Sequence, residues 1–350
     1  MSKPTAELPK LAGLGSVRRR AVAASSSGLV KRDWLRAGEK ALPVMEPAVD
    51  GVDPVSWVEH NRREVETQLL EHGGILFRGF KFRGVSRFEQ FIKAFAEDLL
   101  KYSYQSTPRS RVSNDIYTST EYPAAHTIPL HNEMSYARSW PMKIWFHCVT
   151  RAEQGGETPV ADSRKVFARI DPKIRERFIE RKVRYVRNYD DEGLDLSWST
   201  VFQTTDRSEV EAYCRQAGIE FEWLGRNRLR TSQVCQAALP HPRTGEWIWF
   251  NQAHLFHISS LESEVRETLS ATYREEDYPR NAYYGDGSAI EEEALNDIRE
   301  AYAREAIVFT WHTGDVLMLD NMLMAHGRRP FAGARTVVVG MAQSSETYKA

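Results

Sequence analysis

The chain has 350 residues, 41% apolar and 11% aromatic, enough for a large buried core of globular type. Its 47 basic and 48 acidic residues leave a net charge of −1, so the charge balance gives no case for nucleic-acid or membrane-surface binding. No apolar run approaches the roughly 18 to 20 residues of a membrane span, and Cys148, Cys214 and Cys235 are too few and scattered for a disulfide framework or a zinc knuckle.

A single cytoplasmic domain with insertions is expected, and Ala21 to Ser27 makes a poor signal peptide. Residues 1–42 mix Ser, Ala, Lys and Arg without an apolar period and read as a flexible N-terminal extension. Within it Arg18-Arg19-Arg20 is a solvated cluster, and Trp34 to Leu42 is placed against the domain, which is expected over 43–350. Asp53 to His72 reads as a helix capped by Asp53, with Pro54 in its first turn, Val58, Val65, Leu69 and Leu70 on one face, and Gly73-Gly74 at its end. Ile75 to Arg78 is a short buried strand. Ser86 to Leu100 is a second amphipathic helix with Phe88, Phe91, Ile92 and Phe95 inward.

Tyr102 to Tyr122 is too polar for a core and too aromatic for a linker, which suits a loop lining a polar pocket. Gln105, Arg109 and Arg111 are its candidates for touching an acidic substrate, set against the ordinary role of loop charges. Pro129-Leu130-His131-Asn132-Glu133 follows, and in a strand His131 and Glu133 share a face and can hold one metal ion.

Met142 to Thr150 reads as a buried strand, Gly155-Gly156 as a turn, and Thr158 to Ala161 as the returning strand. Val166 to Glu180 is helical with a break at Asp171-Pro172. An insertion over about 163–305, with helices at Ser208 to Gln216 and Leu261 to Glu276 and a strand at Trp247 to Phe250, is expected beside the pocket mouth. Ala306 to Phe309 and Asp315 to Asp320 read as strands joined by a hairpin-like turn at Thr313-Gly314, and Thr336 to Met341 as the closing strand. The fold class expected is mainly β with helices: a double-stranded β-helix, or jelly roll, with N-terminal helices and a mixed insertion between the metal-binding strands.

His326 adds a second imidazole after the late strand. Two His and one carboxylate make the facial triad of non-haem Fe(II) oxygenases, which leaves positions open on the other side of the ion. A His two residues from a Glu is common by chance, so the surrounding motifs matter. With Gly155-Gly156-Glu157-Thr158-Pro159, His326-Gly327-Arg328-Arg329-Pro330-Phe331 and Arg335, the chain resembles the taurine dioxygenase-like family of Fe(II)/2-oxoglutarate oxygenases from about Pro43 to Gln343. Within that family it is similar to the branch typified by SyrP, the syringomycin-pathway aspartyl hydroxylase.

The resemblance implies Fe(II), 2-oxoglutarate and dioxygen as cofactor and cosubstrates. It makes His131, Glu133 and His326 the metal ligands, and Arg335 with Thr158 the partners of the distal carboxylate of 2-oxoglutarate. Arg335 lies nine residues after His326, where the family has about ten, and Arg328 and Arg329 are taken as loop charges. In halogenases of related fold a small residue replaces the carboxylate, so Glu133 favours oxidation over halogenation. Val339 stands where sulfonate-binding members carry a further arginine. Asn251 is the first choice for substrate contact, while His126, His241, His254, His257 and His312 are weaker pocket candidates.

The function expected is hydroxylation of an unactivated C–H bond of an amino acid or derivative, free or tethered to a carrier protein, in natural-product biosynthesis. Desaturation, cyclisation and oxidative decarboxylation share the same ligands. A zinc-dependent hydrolase and a jelly-roll binding module with a structural metal are the more distant alternatives, and the oligomeric state stays open, a homo-oligomer included.

Overall fold

Uninterrupted apolar runs such as Val316–Leu319 need cover on both sheet faces, and this chain provides it. In the computed structural model, which describes residues 28–346 apart from 37, 39, 102, 103, 105, 107, 108, 191–195 and 226, two sheets face each other. The larger runs in the order Val30–Arg36, Ala41–Pro47, Gly74–Phe77, Val316–Asp320, Pro141–Thr150, Thr336–Ser344, Ile116–Thr118 and Arg111–Ser113. The smaller runs Ile307–Phe309, Thr158–Asp162, Met324–Arg328 and Ile128–His131. Pairing is antiparallel except between Ala41–Pro47 and Gly74–Phe77. This is the jelly-roll arrangement expected.

Side-chain alternation sorts the two cores. From Pro141–Thr150, Ile144, Phe146 and Cys148 point between the sheets while Trp145 points to the outer face; Leu317 and Leu319 go inward as Val316 and Met318 go outward. Helices Pro54–His72 and Val85–Lys93 cover that outer face with Trp57, Val65, Leu69, Phe88 and Phe91. Asp53 caps the first, accepting from Ser56 N at 2.9 Å. The described residues of 163–305 build a third layer around a four-stranded antiparallel sheet, ordered Glu220–Trp223, Leu229–Cys235, Val183–Tyr189 and Arg280–Tyr284. Its core includes Phe178, Tyr185, Trp249 and Phe256, and it shares Leu130, Tyr136 and Ala325 with the strands and turn of the metal motif. Among the described residues no helix is long and apolar enough to cross a membrane.

Three elements depart from expectation. Val30–Arg36, assigned to the flexible extension, is an edge strand antiparallel to Ala41–Pro47, so the 42/43 boundary falls inside a paired hairpin. Arg18-Arg19-Arg20 lies outside the described residues. The second helix stops at Lys93, because Leu99 bridges to Ala342 and Leu100 N donates to Met341 O at 2.7 Å, drawing residues 99–100 onto the closing strand.

The turn at Thr313-Gly314 is no hairpin: Ile307–Phe309 pairs with Thr158–Asp162 in the small sheet and Val316–Asp320 with Gly74–Phe77 and Pro141–Thr150 in the large one. The chain crosses between sheets there. Arg78 holds the crossing, with Nη2 2.7 Å from Asp315 Oδ2 and 2.9 Å from Thr310 O. The Asp315 side chain is 1% exposed, so removing it strands a partly buried cation. Asp315→Ala is expected to lower the unfolding free energy by about 3–5 kcal/mol, read from urea denaturation.

Candidate active site

His131 is the last residue of its strand and Glu133 lies in the following turn, so the pair does not share a strand face as the sequence reading supposed. A hydrogen-bonded clamp brings them together instead. The Asn321 side chain accepts from Glu133 N at 2.8 Å and donates to Glu133 O at 2.9 Å and Pro141 O at 2.8 Å. Asn132 replies, its Nδ2 donating to Asn321 O at 2.7 Å and Ser163 Oγ at 3.0 Å. Asn132, Ser163 and Asn321 are fully buried, where unpaired amides are costly.

His326 sits directly opposite His131 across the antiparallel pair, with ring centroids 4.7 Å apart. A Cβ on the neighbouring Gly327 would stand 2.6 Å from Ile128 O, so glycine permits this close approach. Donor atoms of His131, Glu133 and His326 all lie within 4.8 Å of one another, and His326 Nε2 is 3.9 Å from Glu133 Oε2. His131 Nδ1 donates to Pro129 O at 2.9 Å, which fixes the tautomer and leaves the Nε2 lone pair for a ligand. Burial holds both imidazoles below the usual histidine range, His326 further than His131. Two neutral imidazoles and a carboxylate fit Fe(II).

A cavity of about 40 Å³ adjoins the triad, lined among others by His131, His326, Thr158, Arg109, Arg328 and Arg335. Burial, with Arg328 nearby, lowers the Arg335 pKa to about 10, still cationic at neutral pH. Its Nε donates to Gly156 O at 3.2 Å, and its guanidinium lies 5.5 Å from the Phe331 ring centroid. Gly156 has φ +71°, and a Cβ there would come within 3.0 Å of Arg335 Cδ and Nε, so the Gly-Gly turn makes room for the arginine. Thr158 Oγ1 accepts from Trp311 Nε1 at 2.9 Å, leaving its own proton to donate. Arg335 and Thr158 thus border the same cavity as the two histidines.

Other candidates fall differently. Asn251 is fully buried with its side chain spent on Ala237 O at 2.8 Å and Ala253 N at 3.0 Å, and it does not line the cavity. Its neighbours matter more: Gln252 Nε2 donates to Asn132 O at 2.8 Å and His254 Nε2 to Leu130 O at 3.0 Å, fixing the backbone on either side of His131. Gln105 lies outside the described residues. Arg111 is exposed beside Asp115, whereas Arg109 turns inward, its Nη2 2.6 Å from Glu133 Oε2.

Arg328 is no loop charge. It is buried and donates to the carbonyls of Tyr122, Pro123 and His126 at 2.7–3.0 Å. None of His126, His241, His254, His257 and His312 lines the cavity; His241 pairs with Asp320 at 3.2 Å. The density of polar groups over Asn251–His257 was the visible signal of the support set, while nothing local distinguishes Asn321.

Residues 38–341 match the family of the taurine catabolism dioxygenase TauD and TfdA. The chain is 44% identical over 277 residues to the dapdiamide synthesis protein DdaC of Enterobacter agglomerans, covering 79% of this chain and 84% of that one. It is 28% identical over 293 residues to a clavaminate synthase-like protein of Arabidopsis thaliana, covering 81% and 86%. In fold it is similar to PvcB of Pseudomonas aeruginosa, with a TM-score of 0.53 at 17% identity over 91% of this chain and 93% of that one. The chain belongs to the TauD/TfdA family and is a 2-oxoglutarate-dependent non-haem iron oxygenase, with Fe(II), 2-oxoglutarate and dioxygen as cofactor and cosubstrates.

Asn321→Ala is expected to weaken Fe(II) or Mn(II) binding by about 10–100-fold through loss of the Glu133 anchor, measured by anaerobic metal titration. His254 provides a second test. Burial lowers its pKa from 6.5 to about 3, so its contribution to stability is complete above 6.5 and is lost as pH falls toward 3. The urea midpoint of the native chain is expected to fall more steeply between pH about 7 and about 4 than that of His254→Gln.

Proposed function

We propose that His131, Glu133 and His326 hold the Fe(II), that Arg335 and Thr158 receive the distal carboxylate of 2-oxoglutarate, and that the enzyme hydroxylates an unactivated C–H bond of an amino acid or amino-acid derivative in natural-product biosynthesis. The observation that carries the site reading is the clustering of three possible metal donors, two of which, His131 and His326, line one cavity with the buried guanidinium of Arg335. The pathway class rests on the similarity to DdaC, whose name places that protein in dapdiamide synthesis. A carrier protein presenting the substrate and a homo-oligomeric assembly belong to this proposal as its further possibilities.

When bound, the iron with 2-oxoglutarate and dioxygen supplies the oxidising power, and succinate and carbon dioxide are its by-products. The chain's own residues supply position. The Asn132–Asn321 clamp holds Glu133, and the Pro129 carbonyl orients His131. Arg335 offers a planar fork of donors to a carboxylate, joined by the Thr158 hydroxyl. Phe146, with its ring centroid 4.9 Å from that of His326, keeps one side of the site dry. Retention of Glu133 supports oxygen insertion over halogenation.

The test is succinate release with Fe(II), ascorbate and 2-oxoglutarate across free amino acids, their derivatives and carrier-bound aminoacyl thioesters. One member of the panel is expected to stimulate turnover, with Glu133→Ala at background. Arg335→Met is expected to weaken 2-oxoglutarate binding by about 10–100-fold, the loss of a charged hydrogen bond worth about 1.5–3 kcal/mol. Activity that persists without dioxygen or 2-oxoglutarate would favour the zinc-hydrolase alternative.

A further inference from the structure

We propose that Trp311 is a positioning residue of the cosubstrate site: its indole N–H makes the Thr158 hydroxyl a donor toward the cavity, and so favours a ligand with a distal carboxylate. The proposal rests on the roles given to Thr158 and Arg335 above.

Antiparallel register sets Phe309 opposite Thr158, at the end of the pairing between Ile307–Phe309 and Thr158–Asp162. Two residues on, where the chain crosses between sheets, the Trp311 ring meets Phe309 edge-on with centroids 4.9 Å apart, and its Nε1 donates to Thr158 Oγ1 at 2.9 Å. Arg78 Nη2 holds the carbonyl of the residue between them, Thr310 O, at 2.9 Å. The indole therefore hangs from backbone that is itself tied down.

Both side chains are buried. The direction of their bond is settled by chemistry, since an indole N–H only donates whereas a hydroxyl donates or accepts as it rotates. With Trp311 on one lone pair, the Thr158 proton must point elsewhere. Among the described residues no acceptor takes it, and Thr158 lines the cavity with Arg335. A hydroxyl that accepts one hydrogen bond is also the stronger donor in the next. Filling space does not by itself produce this pairing: the Nε1 atoms of buried Trp145, Trp198 and Trp249 have no partner among the described residues.

The test compares the native full chain, Trp311→Phe, Thr158→Val and the double variant, each loaded with Mn(II), with ligand binding followed by electron paramagnetic resonance of the metal. The probes are N-oxalylglycine and N-methyloxamate, which share the chelating oxalyl amide and differ in the distal carboxylate. Trp311→Phe is expected to weaken N-oxalylglycine about fivefold, the scale of one neutral hydrogen bond, and N-methyloxamate by less than about twofold. In the Thr158→Val background Trp311→Phe is expected to add nothing, because its effect passes through the hydroxyl. Should Trp311→Phe fail to fold, β-(3-benzothienyl)alanine introduced at position 311, with sulfur in place of the N–H on the same two rings, replaces it in each comparison.

Equal weakening of both probes, weakening of neither, or a loss undiminished in the Thr158→Val background would overturn the proposal. A selective loss in Thr158→Val without one in Trp311→Phe removes the role of Trp311 alone. If Thr158→Val and Arg335→Met both leave N-oxalylglycine binding unchanged, the placement of the distal carboxylate falls, and the role of Trp311 with it.

Discussion

The site depends on the reciprocal clamp between Asn132 and Asn321. Each side chain satisfies backbone groups on the other's turn, at 2.7–2.9 Å, and both side chains are fully buried. A ligand set must be held to about 0.5 Å to bind its metal well. Here the carboxylate comes from a turn, the least rigid kind of element, and the clamp ties that turn to the chain leading into His326. The antiparallel register of His326 with His131 completes the set.

The third layer is part of this support. Gln252 and His254 reach the carbonyls of Asn132 and Leu130, and His241 meets Asp320, whose other oxygen accepts from Met322 N and Leu323 N. The inserted segment therefore braces both turns of the metal motif from outside while its own core is continuous with Leu130, Tyr136 and Ala325. Three arginines line the cavity and make different contacts: Arg328 donates to the carbonyls of a loop, Arg335 donates to Gly156 O, and Arg109 pairs with Glu133.

Much of the scaffold is readable along the chain. Alternation in Pro141–Thr150 and the Asp53 cap with Pro54 are local properties, and both are present in the fold. The apolar period of the second helix continues past Lys93, where the helix ends; the competing backbone partner, Met341, lies far away in sequence. The Thr313-Gly314 turn has hairpin composition, yet the flanking strands pair in different sheets.

What the sequence determined by itself was the chemistry: the donor types His131, Glu133 and His326, the Gly-Gly turn and the following Thr158, and a jelly-roll strand pattern. These follow from residue identity and short spacing. Only the tertiary structure decided that Glu133 is fixed from a turn by Asn321, that Arg328 is buried, that Arg109 and not Arg111 enters the cavity, and that Asn251 is spent on its own loop. Those outcomes depend on which distant backbone groups need a partner once the strands are in register. Hydrogen-bond satisfaction in a buried core is a property of the assembled layers, and no local pattern encodes it.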